Sequence, residues 1–110
     1  MTNIINLTPH AITFVVEDNK IIFEPSGVIA RVSSNTQTVG SKEFYGIKIP
    51  VTTTVFGKVE NLPKPKENTI FIVSSLVAER VPDRDDVFIP NESIRDDKGR
   101  IIGCLSLGKI

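Results

Sequence analysis

Apolar and polar positions alternate over short distances along this chain, and only one stretch has helical spacing. Residues 3–7 (NIINL) form an apolar-rich run that ends at Thr8-Pro9-His10. Proline lacks the N–H that a central strand would donate, so a first strand breaks there. Residues 11–17 and 20–24 are two β-rich runs around Asp18-Asn19, residue types that tolerate the positive φ of a tight turn, which predicts a hairpin. After Pro25-Ser26-Gly27, VIARVS (28–33) sets Val28, Ala30 and Val32 on one face and Arg31 on the other. The polar SSNTQT (33–38) reads as a loop or a short polar hairpin. Runs 44–51 and 52–60 hold β-branched residues with Gly46 and Gly57 inside them, which points to bulges or close backbone approach. NLPKPKEN (61–68) is a proline-bearing surface connection.

Residues 69–90 are the most organised part. An apolar run at 69–73 meets Ser74-Ser75, Leu76 to Val81 can make two helical turns, and Pro82 stops them. This is strand, serine cap and short helix over about 75–81. VFIP (87–90) predicts a brief strand, and residues 95–107 predict a hairpin turning at 96–99, with Gly99 at positive φ and a last strand from Arg100 to Leu107. No repeat, low-complexity tract or long linker interrupts residues 1–110. The pattern predicts a single α+β domain, predominantly β, with an antiparallel or mixed barrel-like sheet and one short helix.

Composition agrees with that reading. Val, Ile and Thr supply 36 of the 110 residues, whereas Ala and Leu together supply 8. Thirteen basic side chains balance thirteen acidic ones, which removes the positive field that a phosphate-backbone binder needs and argues against a nucleic-acid partner. Cys104 has no second cysteine to pair with, and with the lone His10 it does not make a zinc site of the common Cys/His types. No apolar run approaches the roughly 20 residues of a membrane-spanning helix, so a soluble, cytoplasmic protein without a membrane partner is expected. No phosphate-loop or dinucleotide fingerprint is present, and no cofactor is expected.

Candidate chemistry centres on anions. Ser74 and Ser75 open the short helix, where free backbone N–H groups and two hydroxyls converge on a site that favours negative charge; the plainer reading is that one serine simply caps the helix. Residues 79–100 hold 12 of the 26 charged side chains, and Arg84 or Arg95 near the serines would complete an anion pocket. The competing reading pairs Arg84 with Asp85 and Arg95 with Asp96 across adjacent loops. The acidic residues from Asp83 to Asp97 lack an EF-hand register, and no metal is expected there. His10 has the side-chain pKa suited to proton transfer near neutrality, or serves as a hydrogen-bonded turn residue or a stacking surface. Cys104 reads as a buried small hydrophobe.

The segments INLTPH (5–10), PSGVIARVS (25–33), TVFGKVENLP (54–63), TIFIVSSLVAERVPDRDDVFIP (69–90) and RDDKGRIIGC (95–104) together resemble a group of small single-domain proteins encoded in bacteriophage and prophage genomes. The resemblance spans nearly the whole chain and implies a context, the cytoplasm of an infected bacterium, with no established activity to carry over. In that context the expected function is counter-defence by sequestering a phosphorylated nucleotide signal, such as a cyclic nucleotide or an ADP-ribose derivative. Ser74, Ser75, Arg84 and Arg95 would hold phosphate, Asn6, Thr8 and His10 would contact ribose or base, and Arg31 would complete the charge balance. Phe44, Tyr45 and Phe56 are candidates for stacking on a base. Two alternatives stand beside it: a protein-interaction module that blocks a host defence protein or belongs to the virion, and a small phosphodiesterase or glycosidic-bond-cleaving enzyme using His10. A homo-oligomer is expected, because a short β-rich chain must cover its strand edges.

Overall fold

In a computed structural model, which describes residues 2–110, the alternating runs become eight strands and one helix. These are β1 Asn3–Asn6, β2 Ile12–Val16, β3 Asn19–Phe23, β4 Arg31–Phe44, β5 Ile47–Glu60, β6 Thr69–Ile72, α1 Ser75–Arg80, β7 Val87–Arg95 and β8 Ile101–Gly108. Six strands form one sheet in the order β1-β6-β7-β8-β2-β3, while β4 and β5 pair only with each other. Strands β1, β6 and β7 are parallel, β8 is antiparallel to β7 and parallel to β2, and β2–β3 is a hairpin. The protein is therefore predominantly β with a mixed sheet, as the sequence pattern predicts.

The sheet curls into a half-barrel because its two edge strands meet at one end. The buried Asn6, at the end of β1, donates from Nδ2 to the carbonyl of Phe23 at the end of β3, 3.0 Å away. Alternation along β6 builds two cores. Phe71 and Val73 point to the face on which α1 lies and pack with Leu7, Ala30, Val77, Ala78 and Val87. Ile72 points to the opposite, concave face and packs with Phe14 and Cys104. Phe71, Ile72 and Val73 are all completely buried, as expected of a central strand covered on both sides.

Strands β4 and β5 form an arm of fourteen residues a side. Ala30, Val32 and Val59 root it in the core beneath α1, and the molecule reaches 60 Å along its longest axis. The sequence pattern divides this region into a 28–33 strand, a polar loop and two separate runs. The structure instead continues one strand through 33–38, since each polar residue from Ser34 to Thr38 finds a cross-strand partner in β5, as Gln37 does in Thr53. The turn is Tyr45-Gly46, both at positive φ as a type I′ hairpin turn requires. Gly57 faces the register shift between Val32 and Ser34, where an added Cβ would run into the Ser33 hydroxyl, so it is a site of both bulge and close approach.

Two further boundaries differ. The first hairpin turns at Glu17-Asp18, one residue earlier than predicted, with φ of 50° and 67°. β7 runs on through Pro90 to Arg95, which is possible because β6 pairs with β7 only at Val87 and Phe88; beyond them that edge carries no ladder for a proline to break.

Candidate functional site

Of the eight residues singled out as ligand contacts, three come together. Thr8, Arg31 and Ser74 line one cleft of about 260 Å³ at the root of the arm, with Pro9, Ile29 and Leu76 among its apolar walls. The Arg31 side chain is 70% exposed, and its guanidinium Nε lies 3.3 Å from a Glu60 carboxylate oxygen across the arm's base. Ser74 is the N-cap of α1, its hydroxyl accepting from the N–H of Val77 at 3.4 Å, and Ser75 is the first helical residue.

The other candidates are engaged elsewhere. Asn6 uses its whole amide within the chain: Nδ2 donates to the carbonyls of His10 (2.8 Å) and Phe23, and Oδ1 accepts from the N–H (2.9 Å) and hydroxyl (2.7 Å) of Thr8. A primary amide has two donors and one carbonyl oxygen, so nothing is left for a ligand. Asn6 instead clamps the Thr8-Pro9-His10 turn and the half-barrel seam, while the His10 side chain is exposed on that turn.

Arg84 forms a bidentate pair with Asp86, both contacts 2.8 Å, and its Nη2 also donates to the carbonyl of Pro63 at 3.0 Å. That hydrogen-bonded pairing holds the Asp86 carboxyl below its ordinary range and the Arg84 guanidinium above its own. The partner is thus Asp86, two residues away, and not Asp85. Arg95 lies on the β7–β8 hairpin and donates to the carbonyl of Gly99 at 2.7 Å, and Asp96 pairs with Arg100 at 3.0 Å. Two backbone N–H groups and the Arg100 guanidinium lower the Asp96 pKa. These bonds close the turn that Gly99, at φ 79°, makes possible. The arginines therefore pin loops and do not converge on the serines.

The aromatic candidates also separate. Phe44 and Tyr45 pack edge to face at the arm's tip, 4.4 Å between ring centroids, whereas Phe56 lies near its root under the Arg80 guanidinium at 5.0 Å. Cys104 is buried in the concave core with its thiol against the Thr13 carbonyl at 3.4 Å, and burial pushes its pKa up. Among the described residues no three His, Cys, Asp or Glu side chains cluster as metal ligands would. Among the same residues no helix is long and apolar enough to cross a membrane.

A further surface feature is one that residue-by-residue chemistry passes over. The arm's register places Phe44 opposite Ile47, Lys42 opposite Ile49, Gly40 opposite Val51 and Asn35 opposite Val55. Directly opposed residues share a face, so Phe44, Ile47, Ile49 and Val51 form one apolar stripe that continues past the Gln37–Thr53 pair to Val55, and the other face carries Thr38–Thr52, Thr36–Thr54 and Glu43–Lys48. All five are exposed, Phe44 at 62% and Ile47 at 64%. Apart from α1, no other element packs substantially on the arm. The signal that marks this face in the sequence is the strict alternation of Ile47, Ile49 and Val51 with Lys48 and Pro50.

Comparison with known proteins finds no matching family model, no matching curated relative and no matching solved structure.

Proposed function

We propose that this chain is a binding protein that works by protein–protein contact, with the apolar face of the β4–β5 arm as its docking surface. The observation that carries this reading is the exposed apolar face from Phe44 to Val55 on an amphipathic ribbon against which, among the described residues, no strand or helix other than α1 packs substantially. A two-stranded ribbon alone is marginal in water, and contiguous exposed apolar surface marks an interaction site. The turn adds to this. Asn-Gly is the favoured pair for a type I′ turn, because Asn tolerates positive φ at low cost. Here Tyr45 occupies that first position at φ 48° and is 90% exposed, so local stability is sacrificed for a large amphipathic side chain at the tip.

The test is capture on the immobilised protein from a bacterial lysate to which the free wild-type chain has been added, comparing the wild-type chain with an Ile47→Ser/Ile49→Ser variant. Species retained by the wild type and lost with the variant support docking through this face. Identical capture by both contradicts it.

A second reading rests on the cleft at the arm's root. Arg31 there offers an exposed guanidinium and Ser74 a hydroxyl to a phosphorylated small molecule such as a cyclic nucleotide or an ADP-ribose derivative, while the Thr8 hydroxyl proton is held by Asn6. Arg31→Ala should then lower affinity for the best ligand in a thermal-shift screen about tenfold or more, the worth of a charge-assisted hydrogen bond. In the phage setting that the sequence resembles, either activity would serve counter-defence.

A further inference from the structure

We infer that the partner of the arm is a second copy of this chain, and that the arm's distal apolar face seats on the mouth of the neighbouring half-barrel, each copy giving an arm and receiving one. This rests on the docking reading above and names its occupant.

Three observations within the same chain fit each other. The first is apolar complementarity. The open mouth of the half-barrel is a depression of about 260 Å³ walled by Ile4, Phe14, Val16, Ile21 and Phe23, an almost entirely apolar surface on the concave face. Val16 and Ile21 are 43% and 46% exposed there, so the concave core is left unfinished at the end opposite the Asn6 seam. The arm's stripe offers the same chemistry in convex form, with Phe44 and Ile47 at its end.

The second is charge. Residues 31–60 carry Arg31, Lys42, Lys48 and Lys58 against Glu43 and Glu60, an excess of two positive charges in a chain whose net charge is zero. The matching excess of two negative charges lies beside the mouth, where Glu17, Asp18 and Glu24 stand against Lys20 on the β2–β3 hairpin. Lys42 lies on the apolar face opposite Ile49 as Glu17 and Asp18 flank the apolar mouth, whereas Lys48 stands opposite Glu43 on the arm's other face. Complementary rims of this kind set register and exclude wrong partners.

The third is area. The exposed stretch of the ribbon from Ile47 to Val55 is about 30 Å long and, with two strands, about 10 Å wide, so its face presents roughly 300 Å². A single arm on a single mouth falls short of the roughly 800 Å² a side of a stable interface. Reciprocal exchange doubles it, because each copy buries its arm and its mouth, and reaches about 600 Å² a side, the lower end of specific interfaces. Exchange also closes the assembly, leaving no apolar ribbon free to propagate aggregation.

The experiment is sedimentation velocity on the full chain over a wide concentration range, paired with cross-linking by a short bismaleimide. Wild type should sediment as a closed oligomer. Phe44→Ser/Ile47→Ser should raise the dissociation constant at least about 100-fold while the body still unfolds cooperatively. Ile49→Cys mixed with Ile21→Cys should give a covalent heterodimer, and Ile49→Cys alone should give none, the native Cys104 being buried. The inference is overturned by a monomer at every concentration, by an oligomer that the arm variant leaves intact, by Ile49→Cys linking to itself, or by an oligomer in which the mixed pair does not link. In each of those cases the lysate capture decides separately whether the arm docks on some other protein.

Discussion

Asn6 shows how a residue whose type suggests ligand contact can be consumed by the fold. Its amide makes four hydrogen bonds while 2% exposed, joining β1, the Thr8-Pro9-His10 turn and the end of β3. Asn6→Asp keeps the acceptor and removes the donor, stranding the His10 and Phe23 carbonyls beside a new carboxylate. The expected cost is about 2–4 kcal/mol, read as a lower urea midpoint with unchanged slope. Asp86 gives the pH dependence. Its folded pKa is depressed by Arg84, so the pair's contribution is fully present above the unfolded carboxylate value of about 3.9 and is lost as pH falls through the lower folded value. Asp86→Asn should flatten stability against pH in that acid window and cost about 1–2 kcal/mol at neutrality, since both side chains are largely shielded. Cys104 should resist thiol reagents in the native protein and react only on unfolding, because it is buried and its pKa is raised.

At the scale of elements, what the sequence makes legible is what local rules decide. The serine cap and proline stop bound α1 to within a residue, and Gly99 marks its turn because only a positive φ closes it there. The long arm is hidden for the opposite reason. Ser33 to Thr38 have turn-like composition, and they become strand only because β5 supplies a ladder that no local window contains. The anion pocket fails to assemble for a related reason: the sequence places Arg84 near the serines along the chain, but Asp86 and the Pro63 carbonyl engage its Nε and Nη2. The arm and the body are separable in this account. Removing residues 39–51 and joining Thr38 to Thr52 through Asn-Gly should leave a cooperatively folded body, since the arm's core contacts, Val32 and Val59, lie outside the excised segment. Loss of cooperative unfolding in that shortened chain would show that the distal arm is part of the fold.

On the scale of the whole molecule, two unfinished surfaces define the protein: a half-barrel open at one end and an amphipathic arm with no cover. Each offers what the other lacks, apolar surface and charge of opposite sign, which is what the inferred exchange between copies would join. The cleft holding Thr8, Arg31 and Ser74 lies at the root of the arm, so an assembly built through the arms would fix the geometry of that cleft as well.

The most direct measurement is amide hydrogen exchange along the arm as a function of protein concentration. Residues 39–55 and the β2–β3 hairpin should gain protection together as concentration rises, with half-saturation at the dissociation constant found by sedimentation. Exchange in both segments that stays fast and unchanged from the most dilute to the most concentrated sample would contradict the account.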